Sequence, residues 1–266
     1  MTYVSVKSGK QIKTLLQNEE FNTLFTQLVY KIFSKTDIFE DIKEIISKIE
    51  FDRELYDFLF LKFSGKYNNV SRAKKRFEDC MQILKDNNVR IKSLLDIGSD
   101  DCAIPFYFAK RLQLKKENVL ATDIHPTCAF NSKVTYQKIE LFEDISTNRK
   151  FNLVTAFQSL HHAQDVKFRL RNIRNLMSYN GVFVIREHDC VDYWMRMLID
   201  VEHLIYNTAF DKLPYDVAID IYYGNYMSVE ELMDLMNKSG FIHLATYLST
   251  RDSFNPTAYY YSIYKK

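Results

Sequence analysis

The sequence predicts an α/β protein: a doubly wound, mostly parallel seven-stranded sheet with an antiparallel edge hairpin, preceded by an N-terminal helical cap. Three features of the pattern point there. Apolar residues recur at helical spacing from about residue 10 to residue 85. From about residue 92 short apolar runs alternate with helical stretches, the signature of a parallel sheet covered on both faces. The last two apolar runs are joined by about ten residues with no helical pattern, which suits antiparallel pairing. The chain therefore divides into a helical region over 1–88 and an α/β domain over 89–266.

In FNTLFTQLVYKIF (21–33), Phe21, Leu24, Phe25, Leu28, Val29 and Ile32 fall on one face of a helix. DIFEDIKEIISKI (37–49) repeats the rhythm with Asp37 in position to cap it. RELYDFLFLKF (53–63) is apolar nearly all round, as a helix buried by neighbours is, and SRAKKRFEDCMQIL (71–84) opens on a cap-like Ser71. The expected strands are 92–98, 119–124, 135–141, 151–157, 181–188, 244–248 and 258–264. Helices are expected over 103–112, about 164–178, 192–206 and 228–241, the last closed by Gly240.

At 266 residues and 47% hydrophobic, the chain can bury a core in one domain, or in one domain with a helical appendage. A formal charge of +2 says little in itself and argues neither for a nucleic-acid coat protein nor for a disordered acidic chain. The cysteines Cys80, Cys102, Cys128 and Cys190 form no C-x-x-C pair. That pattern fits reduced thiols and argues against a disulfide framework or a structural zinc site. The start, MTYVSVKSGKQ, lacks the apolar run of a signal peptide, and no stretch is long and apolar enough for a membrane span. The expectation is a soluble, cytoplasmic protein with no membrane partner and no metal.

Open sheets of this kind bind ligands at the carboxyl ends of their strands. There the sequence places Asp96-Ile97-Gly98-Ser99-Asp100-Asp101 and Asp123-Ile124-His125-Pro126. Asp123 lies 25 positions past Gly98, near the spacing at which a carboxylate takes ribose hydroxyls. A diphosphate wants backbone N–H groups at a helix N-terminus with no negative side chain nearby. Asp100 and Asp101 would repel it, whereas a sulfonium has no such conflict, which favours S-adenosylmethionine over a nicotinamide cofactor.

With these residues in view, the segment from about 90 to 266 resembles the class I, Rossmann-like S-adenosylmethionine-dependent methyltransferases. LLDIGSDDCA stands where that family has D-x-G-x-G-x-G; TDIHP is similar to its acidic ribose motif, and ELFEDIS (140–146) to its adenine-side segment. FNLVTAFQSLHHAQD (151–165), NLMSYNGVFVIREHD (175–189) and EELMDLMNKSGF resemble its later motifs in order. The resemblance implies S-adenosylmethionine as cofactor, held by Asp96, Gly98, Ser99, Asp123, Ile124, Asp144, Ile145, Phe157 and Gln158, with Arg72 or Arg76 meeting the methionine carboxylate. The loop departs from the family at Asp100 and Cys102, which replace its second and third glycines. Asp tolerates left-handed backbone; Cys does so less readily.

Methyl transfer needs alignment first, and a base only when the acceptor must lose a proton early. The candidates are His161, His162 and Glu187, with His188 and Asp189 beside them. His161 and His162 are equally able to stack on cofactor or close the loop, and for Glu187 and His188 hydrogen bonding to the next helix is favoured over chemistry. Arg186 is expected to pair with a carboxylate and His203 to be a packed histidine. N-P-P-Y or D-P-P-Y, a loop cysteine and a Lys-Asp-Lys-Glu set are missing, which argues against amino-group, cytosine carbon-5 and ribose 2′-O-methylation on those templates. Between Lys62 and Arg76 stand Lys62, Lys66, Arg72, Lys74, Lys75 and Arg76 with no acidic residue, a stretch able to grip RNA or to form a solvated face. A second cluster is Lys167, Arg169, Arg171 and Arg174, and an aromatic-rich region runs from Tyr206 to Tyr226. Three readings stay open: methylation of RNA (viral or cellular), methylation of a small molecule, and a non-catalytic partner or RNA-binding module.

Overall fold

The computed structural model describes residues 12–65, 69–126, 128–140, 143–249 and 256–266. The chain folds as two compact units. The first is helical and is drawn from three stretches, 1–67, 189–228 and 249–258. Its helices are α1 (Ile12–Leu15), α2 (Glu19–Phe33), α3 (Phe39–Lys48), α4 (Asp52–Lys62), α8 (Tyr193–Ile205) and α9 (Tyr215–Ile221). Asn18 caps α2 by accepting from the Phe21 amide, and Asp192 caps α8 by accepting from Met195. The apolar faces of α2 and α4 (Phe21, Phe25, Leu28, Phe33, Tyr56, Leu59) share one core with Met195, Leu198, Ile199 and Ile205 of α8. The buried Glu202 of α8 is paired with Lys31 of α2 at 3.1 Å, so its charge is matched.

The second unit holds the sheet. It contains α5 (Asn69–Asp86), β1 (Leu94–Ile97), α6 (Ala103–Arg111), β2 (Val119–Asp123), β3 (Thr135–Lys138), β4 (Phe151–Phe157), α7 (Val166–Leu176), β5 (Met177–His188), α10 (Val229–Lys238), β6 (Ile242–Leu248) and β7 (Tyr259–Lys265). The seven strands run in the order β3-β2-β1-β4-β5-β7-β6. The β1, β2, β3, β4 and β5 pairings are parallel, and β7 is antiparallel to both β5 and β6. The order reverses between β1 and β4, so the ligand crevice of an open sheet belongs at their carboxyl ends. Every residue of β1 and β2 is buried, which is why those strands are mostly apolar, with Asp96, Thr122 and Asp123 as their polar members.

The expected fold class stands, with local differences. The helical region does not end at residue 88 as a separate appendage: α5 belongs to the sheet unit, and 189–228 joins the helical one. The cap of α3 is Ile38, with no side-chain hydrogen bond, instead of Asp37. Helix α5 begins at Asn69, which puts Ser71 inside it. Gly240 does close α10, at φ +81. No described helix is long and apolar enough to cross a membrane.

Candidate active site

The loop from β1 to α6 answers the question its missing glycines raise. Gly98, Asp100 and Cys102 all adopt left-handed backbone, at φ +69, +49 and +66. The alternation that three glycines would supply is thus kept by one glycine, an aspartate and a cysteine. Gly98 cannot be spared for a second reason: a Cβ there would lie 2.2 Å from the Ser159 Cβ, where the β4 loop crosses over. Ser159 fixes that approach by donating its hydroxyl to the Ile97 carbonyl at 2.7 Å. Asp101 accepts from the Ala103 amide at 2.9 Å, setting a carboxylate at the N-terminus of α6.

Beneath the loop, Asp96 is buried and accepts from the Thr155 hydroxyl at 2.5 Å. Burial pushes its carboxyl up to about 7. At the end of β2 the Asp123 carboxylate is oriented by two amides, Asp100 at 2.7 Å and His125 at 3.1 Å. The left-handed turn at Asp100 is what aims that amide at Asp123, so the loop and the acidic strand end form one structure. Ile124 beside it is exposed.

Across the reversal point, His161 and Glu187 make a buried pair. Nδ1 of His161 is 2.5 Å from Oε2 of Glu187, and Oε1 of Glu187 accepts from the Leu160 amide at 2.9 Å. Burial raises the Glu187 carboxyl to about 7. With the carboxylate holding the Nδ1 proton, Nε2 of His161 carries the ring's lone pair. His162 lies tilted against His161, ring centres 4.1 Å apart and planes at 54°, and is only half-buried. Gln158, in left-handed backbone at φ +56, contacts His188 Nε2 through its own Nε2 at 2.7 Å. Its Oε1 accepts from the Arg76 guanidinium.

The sequence matches the model of a family described as a methyltransferase domain, over residues 67–245. The chain belongs to that family. Among solved structures, an S-adenosylmethionine-dependent methyltransferase from Clostridium acetobutylicum superimposes with a TM-score of 0.52 at 14% identity, covering 73% of this chain and 91% of its own. A Galdieria sulphuraria protein named for sarcosine and dimethylglycine methylation superimposes with a TM-score of 0.53 at 9% identity, covering 76% of this chain and 90% of its own. At such identities these two share the fold. No curated protein matches the sequence.

In this methyltransferase domain, hydrogen bonds tie Asp96, Gly98, Ser99, Asp123, Gln158, His161 and Glu187 to the strand-end loops. Other expected site residues are held differently. Phe157 has its ring in the core, edge-on to Tyr261 at 5.7 Å, so only its backbone faces the strand end. Ile145 is buried and its amide donates to Asn172 of α7, whereas Asp144 is exposed. Arg72 is half-buried on α5, but Arg76, one turn on, is the arginine that reaches Gln158. Burial, then the positive Arg186 and Arg72, push the Arg76 guanidinium down to about 9. Arg186 does not pair with a carboxylate: its guanidinium lies over the Tyr259 ring at 4.0 Å.

The methyltransferase domain also corrects the reading of its thiols. Cys102 and Cys128 form a disulfide, with Cα atoms 5.5 Å apart, whereas four reduced cysteines were expected. The pairing of β1 with β2 brings their following loops side by side, which spacing along the chain does not reveal. Cys80 and Cys190 are buried and stand outside this disulfide. Thr155 and Ser159 are supports of the site whose roles the motifs did not single out, whereas Arg76 stood beside Arg72 as a candidate. His203 is packed as expected, its Nδ1 2.9 Å from the Ile199 carbonyl.

The basic stretch is divided. Lys66 lies outside the described residues, Lys62 ends α4, and Lys74 and Lys75 pair with Glu78 and Asp79 on their own helix. In the second cluster Arg169 is buried and donates to the Glu143 carbonyl, and Arg174 donates to that of Gly240.

Proposed function

We propose that the protein is an S-adenosylmethionine-dependent methyltransferase acting on a small molecule whose accepting atom gives up a proton as it is methylated. The observation that carries the cofactor reading is the β1 loop, which keeps left-handed backbone at positions 98, 100 and 102 although two glycines are gone. The donor set suits this cofactor. Asp123, oriented by two amides, presents a carboxylate to a vicinal diol, and Asp101 puts negative charge where a diphosphate would need none. Asp96, Gly98, Ser99, Asp123 and Gln158 would hold it, with Arg76 and Arg72 supplying positive charge for a carboxylate. When bound, it supplies an electrophilic methyl group on a sulfonium.

The chain's own residues supply alignment and a proton acceptor. Nε2 of His161 receives the proton leaving the acceptor, and Glu187 holds Nδ1–H and stabilises the imidazolium that forms. Burial of both groups keeps water from the pair. Pairing of Lys74 and Lys75 within α5 leaves that helix with less free positive charge than its composition implies, which favours a small acceptor over RNA.

Calorimetry of the full chain with S-adenosylmethionine and S-adenosylhomocysteine tests the cofactor reading, with saturable binding expected. Absence of heat at millimolar ligand in a folded sample would mean a non-catalytic module. Transfer of labelled methyl to a metabolite pool, and not to RNA, is expected; salt-sensitive transfer to RNA would overturn the choice of acceptor.

A further inference from the structure

We infer that the helical unit contains a binding site for a small organic ammonium ion, independent of the methyl-transfer reading. The unit encloses a cavity of about 30 Å³ whose lining includes Asp52, Asp200, Tyr56, Tyr215 and Tyr222, closed by aliphatic groups such as Leu15 and Met197. Among the described residues its lining carries two carboxylates and no basic residue. Asp200 is 4% exposed and accepts from the Tyr222 hydroxyl at 3.0 Å. Asp52 accepts from the Ile12 amide, and burial lifts its carboxyl to about 6. The neighbouring cation, Arg53, is committed outward to Asp57 and Asp216.

Tyr56 is the second, separate sign of a ligand. It is 1% exposed, lines the cavity, and its hydroxyl has no hydrogen-bond partner among the described residues. A buried hydroxyl left so costs roughly 1–3 kcal/mol, which argues for a donor that arrives with a ligand. Its ring stacks on Tyr215, centres 5.2 Å apart and planes at 15°, giving the cavity an aromatic wall. Carboxylates opposite aromatic faces suit an ammonium, which donates to the oxygens and lies against the rings. A divalent metal would want about six oxygen ligands, and aliphatic and aromatic walls do not offer them. The volume admits an ammonium head with its first carbons and excludes a nucleoside.

The test is titration of the full chain with methylammonium chloride, followed by calorimetry, against potassium chloride at equal ionic strength. Saturable binding to methylammonium alone is expected. Asp52→Asn, which keeps an oxygen for the Ile12 amide, is expected to abolish it. Tyr56→Phe is expected to weaken it at least about fivefold while the thermal midpoint stays level or rises, because an unpartnered hydroxyl is lost. Equal responses to the two cations, or Tyr56→Phe protein that is as stable and binds as tightly, would overturn the assignment. Neither outcome bears on S-adenosylmethionine binding, measured separately.

Discussion

Gly98→Ala is the most discriminating perturbation of the site. Position 98 has φ +69, where an L side chain costs about 1–2 kcal/mol. The new Cβ would also meet the Ser159 Cβ at 2.2 Å, and relieving an overlap of that kind typically costs about 1–3 kcal/mol. The sum, roughly 2–5 kcal/mol, should lower the thermal midpoint by roughly 5–15 °C for a chain of this length. Moving Ser159 away loosens its bond to the Ile97 carbonyl and displaces the Asp100 amide that orients Asp123, so S-adenosylmethionine affinity should fall about tenfold or more. Ser159→Gly in the Gly98→Ala background removes the overlap but not the backbone strain, and should restore about half the lost stability. Differential scanning calorimetry on the four proteins of the cycle, with cofactor titrations beside it, measures both parts. Gly98→Ala protein with an unchanged midpoint, or no coupling between the two positions, would refute the reasoning. Asp100→Gly is the converse control: φ +49 suits glycine, so stability should change by less than about 1 kcal/mol.

Four further outcomes are expected. Asp123→Ala should weaken S-adenosylmethionine binding by about 1–2 kcal/mol, read by calorimetry, as lost hydrogen bonds to a charged group do. Glu187→Gln should leave the fold intact and lower the methyl-transfer rate by about 10²-fold or more at saturating cofactor, because an amide no longer stabilises protonated His161. Asp96 titrates near 7 in the folded chain against 3.8 as its ordinary value. The native state therefore keeps a proton that the unfolded chain releases, and stability falls as pH rises from about 4 to 7; Asp96→Asn should flatten that slope in urea titrations at several pH values. Reducing the Cys102–Cys128 disulfide, which closes a separation of 26 residues, should lower stability by about 3 kcal/mol and be matched by Cys128→Ser without reductant.

The sheet was legible because its strands are short, apolar and punctuated: the 151–157 run coincides with β4. The start of β5 was not, since Ser178, Tyr179 and Asn180 are polar, and the strand shifts register opposite Phe151 before Gly181. Helix α9 escaped because it is seven residues long and opens after Pro214. In the site, Asp96, Gly98 and Asp123 could be found from their place after strands and from motif order. The residues that support them act across the sequence. Thr155 reaches Asp96 over 59 positions, and Arg76 reaches Gln158 over 82. Such contacts follow from strand order, which local pattern does not encode. The left-handed Cys102 lacks any compositional cue, since its conformation is imposed by the loop around it.

The three-part origin of the helical unit bears on how the protein is made. Residues 1–67 leave the ribosome well before 189–228, the stretch that carries the other half of their core. At roughly 5–20 residues per second the wait is on the order of ten seconds, during which the apolar faces of α2 and α4 lack the α8 part of their core. The nascent chain is therefore exposed to misassociation early in synthesis. For the same reason, trimming the N-terminal helices would strip α8 of its cover.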